Sequence, residues 1–318
     1  MCFLTIAIPT YNRADKLART LRRMSELISD SALPHDSVEI IVSDNCSADA
    51  TPAILSEFDG GPFRYRWHRQ QTNLGLDANV RFLYKQSSGE YVWCFADDDI
   101  LYPNAIDQVV SALRTYSPDA LLFSFVQPPG TSFRTFDFPN SVTVVEDPGK
   151  IIDLLAQYPK LSIYVYRRIP FTADDWSQLS DSLGSNFDFV SLGFTLMQKA
   201  RQPRLCVISE PLAGCDEDFS VVRFSPETWG KAWEVFRHPF VRKVSPYLEV
   251  TKRRESYYAQ IQMLVAVKAG KILVSDIDSY DRFIRDLDVR WASLLRNPKA
   301  MVQLVLLKFG LIPWWMRY

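Results

Sequence analysis

The sequence predicts an α/β fold: a mostly parallel sheet with helices on both faces, followed by a helical C-terminal region. Three observations predict it. Short β-rich runs alternate with amphipathic helical segments through the first 125 residues, a rhythm that gives parallel strands joined by right-handed crossovers. One apolar run, Tyr91 to Phe95, reads as a fully buried strand and ends abruptly in Asp97, Asp98 and Asp99, where ligands of open α/β sheets bind. With 318 residues, 47% of them hydrophobic, the chain buries a large core as one big domain or two smaller ones.

The elements follow in order. Phe3 to Ile8 is a strand stopped by Pro9, and Thr10-Tyr11-Asn12-Arg13 leads into a helix from about Ala14 to Ser29. That helix carries Leu17, Leu21, Met24 and Ile28 on one face, with arginines opposite. Val38 to Ser43 is the second strand, ending in Asp44-Asn45-Cys46-Ser47-Ala48-Asp49, and Thr51 to Phe58 is the second helix. Phe63 to Trp67 alternates apolar and basic residues like a strand with one wet face. Asn73-Leu74-Gly75 then turns into a helix, Asp77 to Gln86, and Gly89 leads into the central strand. Pro103 is expected at the first position of the next helix, which would hold the three carboxylates in a short strand-to-helix turn. Beyond it come an irregular strand or flap at Thr131 to Phe138, a helix Gly149 to Gln157, a strand Ser162 to Arg167 and a helix Phe189 to Ala200. From Pro226 the pattern is helical, with Tyr257, Ile261, Leu264 and Val265 on one face.

Charge and cysteines narrow the function classes. The 36 basic and 37 acidic residues nearly cancel, so no global field favours nucleic acid and a charged ligand must be held locally. Five scattered cysteines without Cys-x-x-Cys spacing argue against a disulfide framework and a structural zinc site. A cytoplasmic setting fits them, and the N-terminus has no basic segment followed by a long apolar core. The most apolar stretch, Ala300 to Met316, is broken by Gln303, Lys308 and Pro313, and is too short and interrupted to span a bilayer.

The chemistry gathers at strand ends. Three adjacent carboxylates repel one another, so a cation or several donors must share the site if all stay ionised. The loops after strands one, two and four should meet on one edge, bringing Thr10, Asn12, Asp44 and Asn45 to the triplet. The turn after the first strand reads Pro9 to Arg13 and lacks the Gly-x-Gly-x-x-Gly that lets a backbone approach a pyrophosphate. A diphosphate would therefore be neutralised by a divalent cation, and Mn2+ or Mg2+ suits carboxylates and substrate phosphates.

The segments Ile8 to Arg13, Glu39 to Asp49, Asn73-Leu74-Gly75 and Gly89 to Asp99 resemble, in order, the signatures of family 2 glycosyltransferases, which have the GT-A fold. The resemblance covers roughly the first 125 residues closely, and Leu205 to Leu212 is a looser match to the end of the catalytic domain. Within the family the chain is most similar to non-processive, abequosyltransferase-like enzymes of bacterial surface polysaccharide and O-antigen (lipopolysaccharide) synthesis, whose acidic motif also begins with a small residue. It lacks the Gln-x-x-Arg-Trp signature of processive members, with only Val221-Val222-Arg223-Phe224 in that region.

The resemblance implies that residues 1 to 225 form the catalytic domain, 1 to 125 binding the nucleotide sugar and 126 to 225 the acceptor, with 226 to 318 a helical extension. It implies that Pro9, Thr10, Asn12 and Arg13 line the nucleotide pocket beside Asn45, that Asp44 accepts from the base, and that Asn73 and Arg81 lie near ribose or phosphates. Duller roles compete: Thr10 and Asn12 as caps of the first helix, Asp44 as cap of the second. The first acid of the family's Asp-x-Asp motif falls on Ala96, which leaves Asp97 towards ribose, Asp98 on the metal and Asp99 on metal or donor sugar.

For inversion a carboxylate must take the proton of the acceptor hydroxyl. The family's Glu-Asp pair falls on Phe189 and Val190, so Asp188 is the nearest candidate, equally readable as a helix cap, with Asp216, Glu217 and Asp218 as rivals. The resemblance implies an acceptor on a polyprenyl-diphosphate lipid at the inner face of the plasma membrane. The apolar tail Lys299 to Tyr318, with Trp314, Trp315 and Arg317 at its end, then either lies in the headgroup interface or packs as a last helix. Two other classes stay open: a nucleotidyltransferase, which wants a Gly-rich basic loop where Pro9 to Arg13 supplies one arginine, and a non-catalytic nucleotide- or sugar-binding protein, which would tolerate Ala96.

Overall fold

The computed structural model describes residues 2–61, 63–126, 135–181, 188–215, 221–222, 232–248, 273–274 and 302. Strand and helix alternate from the start: β1 (Leu4–Thr10), α1 (Ala14–Asp30), β2 (Val38–Asp44), α2 (Thr51–Glu57), β3 (Arg64–Arg69), α3 (Gly75–Gln86) and β4 (Tyr91–Cys94). Then come β5 (Asp99–Leu101), α4 (Ala105–Tyr116), β6 (Ala120–Val126), β7 (Val142–Val145), α5 (Pro148–Gln157), β8 (Tyr164–Arg167), α6 (Ala173–Asp181), α7 (Asp188–Lys199) and β9 (Leu205–Cys215).

Nine strands form one sheet in the order β3-β2-β1-β4-β8-β6-β9-β5, with β7 paired to β9. The run from β3 to β4 is parallel. From β8 onward the sheet is mixed: β8 is antiparallel to both its neighbours, and β9 is parallel to β6 but antiparallel to β5 and β7. An apolar run says that a strand is buried without saying which way its neighbour points, so this mixing is not legible in composition. Every residue of β1, β2 and β6 is buried, as strands covered on both faces are.

The helix α1 buries Ala14, Leu17, Thr20, Leu21, Met24, Leu27 and Ile28 and packs on α2 and β5, while α3 packs on β1 and β2. Gly89 is a close approach: a Cβ there would stand 2.6 Å from the Thr5 amide nitrogen, so any side chain would force β1 away.

Pro103 is not at a helical first position. A short strand, β5, intervenes, pairing Asp99 with Cys215, Ile100 with Gly214 and Leu101 with Ala213, and α4 starts at Ala105 after Asn104 turns with φ 61°. The chain divides into two compact units, Met1–Ser180 with Asn186–Glu217, and Asp181–Ser185 with Asp218–Tyr318. In the second, the described residues hold a short parallel pair, β10 (Val221–Val222) and β11 (Leu273–Val274), a 3-10 turn Ala232–Arg237 and α8 (Pro239–Val244). Of the flap expected at Thr131 to Phe138, residues 131–134 lie outside the described residues, while Thr135 and Phe136 are hydrogen-bonded to Phe125 and Ser124 without forming a strand; but for residue 302, the tail 299–318 also lies outside the described residues. No described helix is long and apolar enough to cross a membrane.

Candidate functional site

The carboxyl ends of β1, β2 and β4 meet. The Asn45 amide donates to the Thr10 carbonyl at 2.9 Å, and the loops after β1 and β2 are tied twice, Asn12 N–H to Ser47 Oγ and Ala48 N–H to Asn12 Oδ1, each at 2.8 Å. Both loops contain a left-handed residue that is not glycine, Asn12 (φ 51°) and Cys46 (φ 68°). Backbone strain of this kind persists only where surrounding bonds over-determine it. Thr10 and Asn12 do not cap α1: the Arg13 and Ala14 amides donate to Thr51 Oγ1 at 3.3 Å and Asp49 Oδ2 at 3.1 Å, so the second loop caps the first helix. Asp44 does not cap α2 either, since its Oδ1 accepts from the Ser47 amide at 2.9 Å and the Thr51 amide turns to Asp49. Pro9 is a buried residue of β1.

The three aspartates diverge. Asp97, 4% exposed, accepts from Thr10 Oγ1 at 2.6 Å and from Arg13 Nη1 at 3.2 Å. Burial pushes its carboxyl up to about 6, against the pull of Arg13. Asp98, half-buried, is paired with the same Arg13 Nη1. Asp99 begins β5 and turns the other way: Lys160 Nζ stands 2.9 Å from its Oδ1, and Ser162 Oγ donates to its Oδ2. Asp97 and Asp98 lie in the turn and face Arg13, whereas Asp99 opens β5 and faces Lys160. Burial raises the Asp99 carboxyl and Lys160 opposes the rise.

Asp44 is fully buried, and its Oδ2 has no hydrogen-bond partner; the Arg69 Nε lies within ion-pair range at 3.4 Å, outside hydrogen-bond geometry. Asn45 and Asn73 brace a loop: Asn45 Nδ2 donates to Asn73 Oδ1 at 2.7 Å, and Asn45 Oδ1 accepts from the Leu74 amide at 2.9 Å. Gly75, with φ 81°, supplies the left-handed turn there that opens α3. Arg81 lies half-buried in the middle of α3. Asp188 is the first residue of α7; its side chain, and Asp216, Glu217 and Asp218, lie outside the described residues.

Lys160, Ser162 and Arg69 do not stand out in the sequence. The signal for Lys160 was available in the demand for counter-charge: three carboxylates need more cation than Arg13 supplies, and Lys160 sits at the start of a strand run in the other half of the domain. His68, by contrast, stacks on Phe82 with ring centroids 4.5 Å apart, a packing role.

Among the described residues no three His, Cys, Asp or Glu side chains converge on one metal position. The donor chemistry still fits a divalent cation through Asp98, because such ions take one or two carboxylates and draw their other ligands from substrate phosphates and water. Asp99, expected at the metal, has both oxygens committed to Lys160 and Ser162 instead.

Comparison with known proteins places this geometry. The sequence profile described as "Glycosyl transferase family 2" matches residues 5–171, more than half of the 318-residue chain. Uncharacterized protein Mb1547 of Mycobacterium bovis is 33% identical over 88 residues, 27% of this chain and 25% of that protein, so the match spans about a quarter of the relative's length. The fold is similar to that of Staphylococcus aureus TarS 1-349 in complex with UDP-GlcNAc (TM-score 0.53, 16% identity, 82% of this chain and 81% of that one). It is also similar to the mannosyltransferase PcManGT of Pyrobaculum calidifontis in complex with GDP-Man and Mn2+ (TM-score 0.51, 14% identity, 96% and 86%). These two structures show that the fold is that of GT-A glycosyltransferases.

Proposed function

The chain belongs to glycosyltransferase family 2, and on that premise we propose that it moves one sugar from a nucleoside-diphosphate sugar to a saccharide acceptor, with inversion. The observation that carries this reading is the meeting of three strand ends, with Thr10, Arg13, Asp97 and Asp98 in one hydrogen-bonded cluster. Two proteins of the same fold hold UDP-GlcNAc and GDP-Man, which supports a nucleotide-sugar donor here.

In this reading Asp44 Oδ2, which has an ion-pair neighbour in Arg69 but no hydrogen bond, takes an N–H of the base, Asn45 and Asn73 shape the loop beside the ribose, and Arg13 and Arg81 serve the phosphates. Asp98 holds Mn2+ or Mg2+ together with the diphosphate, a cation that stabilises negative charge on the leaving group when bound. Asp97 and Thr10 fix the Arg13 guanidinium next to Asp98. The acceptor hydroxyl is far too weak an acid to attack unaided at neutral pH, so a carboxylate must take its proton. We assign that role to Asp188, with Asp216, Glu217 and Asp218 as rivals. A single displacement needs one such base and inverts the anomeric centre.

The absence of Gln-x-x-Arg-Trp supports transfer of one sugar per encounter. The small residue at Ala96 supports an abequosyltransferase-like member acting on a lipid-linked acceptor of surface polysaccharide or O-antigen, at the cytoplasmic face of the membrane. Thermal melts of the full chain with UDP, GDP and other nucleoside diphosphates, with and without Mn2+, test the reading. One nucleotide should raise Tm by several degrees, since a ligand bound only to the folded state stabilises it by about 2.7 kcal/mol at a hundred times its Kd. No shift with any of them would sink it.

A further inference from the structure

Lys160 is held unusually well for a surface-reaching lysine. It precedes the 3-10 turn Leu161–Ile163 that leads into β8. Its Nζ is 2.9 Å from Asp99 Oδ1 and 5.0 Å from the centroid of the Phe125 ring, and its side chain is 24% exposed where that of Asp99 is 1%. Two residues on, Ser162 Oγ donates to the other oxygen of Asp99 and itself accepts from the Ala96 amide at 3.0 Å. One short segment of the acceptor half thus saturates Asp99 while bracing the residue where the family's first motif acid is missing.

We propose that Lys160 is a resident counter-ion of the donor site: its ammonium fills the cation position at Asp99, leaving Asp98, half-buried and paired with Arg13, as the carboxylate of the triplet placed to reach a divalent metal. That the site takes a donor rests on the proposed function. Three carboxylates against Arg13 and Lys160 leave one net negative charge in the cluster, enough to attract a divalent cation but too little to hold it well without further anionic ligands. The diphosphate supplies those, so metal and nucleotide arrive as a pair. A lysine suits the task, being a compact, strongly hydrated point charge that the face of Phe125 further favours.

A purely structural ion pair makes a different prediction, because its loss would cost stability without creating affinity for a metal. Mn2+ binding to the full chain, followed by electron paramagnetic resonance with no nucleotide present, separates the two. Lys160→Ala should bind Mn2+ at least about tenfold more tightly than wild type, since it uncovers a carboxylate and removes a positive charge that acts on both Asp99 and Asp98. Lys160→Arg should bind as wild type does. Lys160→Met/Asp99→Asn replaces the buried pair by neutral groups, a change that is often tolerated, and keeps the cluster's net charge. That double variant should return Mn2+ affinity to within about threefold of wild type, whereas Asp98→Asn should abolish it. Equal affinity in wild type and folded Lys160→Ala would overturn the proposal. Loss of Mn2+ binding in the double variant would overturn it too, by making Asp99 a ligand, even if Lys160→Ala fails to fold. Failure of the proposed function shows itself elsewhere, as the absence of any nucleotide-induced rise in wild-type Tm.

Discussion

The parallel half of the sheet buries carboxylates at both its ends and treats them in opposite ways. At the amino end Glu39, 3% exposed, accepts from Thr5 Oγ1 at 2.8 Å, from the Ser88 amide and hydroxyl at 3.0 and 2.8 Å, and from Arg66 Nε at 2.6 Å. Burial raises its carboxyl, but Arg66, Thr5 and Ser88 together bring it below the ordinary value. At the carboxyl end Asp97 and Asp99 are buried to the same degree, and burial leaves both carboxyls raised. Both ends have donors; what differs is that at the carboxyl end burial outweighs them, with the neighbouring carboxylates adding to the rise. The amino end holds its carboxylate in the charged form, and the carboxyl end keeps its carboxyls perturbed despite their partners, as groups at functional sites often are.

Asp98→Ala gives the sharpest contrast. Transfer should fall by at least about a hundredfold, the scale seen when one electrostatic contact to a developing charge is removed. Tm should hold or rise, because a like charge leaves the cluster. Near-normal turnover with Mn2+ present would mean that the carboxyl end is as structural as the amino end.

Glu39→Ala inverts that outcome. It strands Thr5, Ser88 and Arg66, and should cost about 3 kcal/mol by urea denaturation, the range for breaking a buried charged contact, tempered by the half-exposed Arg66. Turnover measured well below Tm should not change. The pH dependence has a definite sign: a carboxyl whose folded pKa is depressed contributes stability above its unfolded value, about 4.3, and loses it as pH falls through the folded value. The gap between wild type and variant should therefore narrow in acid below about pH 4. A gap independent of pH would mean that Glu39 acts by packing alone.

This contrast also marks what the sequence tells. The runs that became β1, β2 and β4 were legible because buried strands are apolar throughout, and the acidic triplet was legible because charge at such a strand's end is costly. Glu39 sat in plain view within Val38 to Ser43, but one polar residue in an apolar run looks the same whether it is paired or not. Its partners lie 27 to 49 residues away. Lys160 escaped for the same reason, 61 residues from Asp99 by their numbering, and Arg69 became a neighbour of Asp44 through the register of β2 on β3. The two competing cap roles fail differently: the Arg13 and Ala14 amides at α1 turn to Thr51 and Asp49, 38 and 35 residues away, which no local pattern announces, while the Thr51 amide at α2 takes Asp49, two residues back, instead of Asp44.

Asp97→Asn tests the carboxyl end by stability alone. A carboxyl raised from 3.8 to about 6 binds its proton more tightly folded than unfolded, so stability falls as pH rises through that window. In the ligand-free protein Asp97→Asn should remove that fall and gain on the order of 2 kcal/mol at pH 7, a little less than the full shift implies because Arg13 loses an ionic partner. A wild type whose stability rises steadily from pH 4 to 6, unchanged in slope by the substitution, would make the two ends electrostatically alike.

The smallest effect concerns backbone. Cys46 stands at φ 68° beside Asp44, half-exposed, with its Sγ 3.5 Å from the Gln71 carbonyl. A left-handed conformation costs an ordinary residue about 1 kcal/mol and glycine almost nothing. Cys46→Gly alone would mix this relief with the lost thiol contact and a more flexible unfolded chain. Cys46→Ala loses the same thiol but keeps the strained Cβ, so the difference between the two variants isolates the conformation. Glycine should be the more stable by a few tenths to about 1 kcal/mol once its unfolded-state penalty is included. If alanine proves the more stable, the ties from Asn12 to Ser47 and Ala48 do not hold Cys46 left-handed in solution, and the loop next to Asp44 is free to reshape.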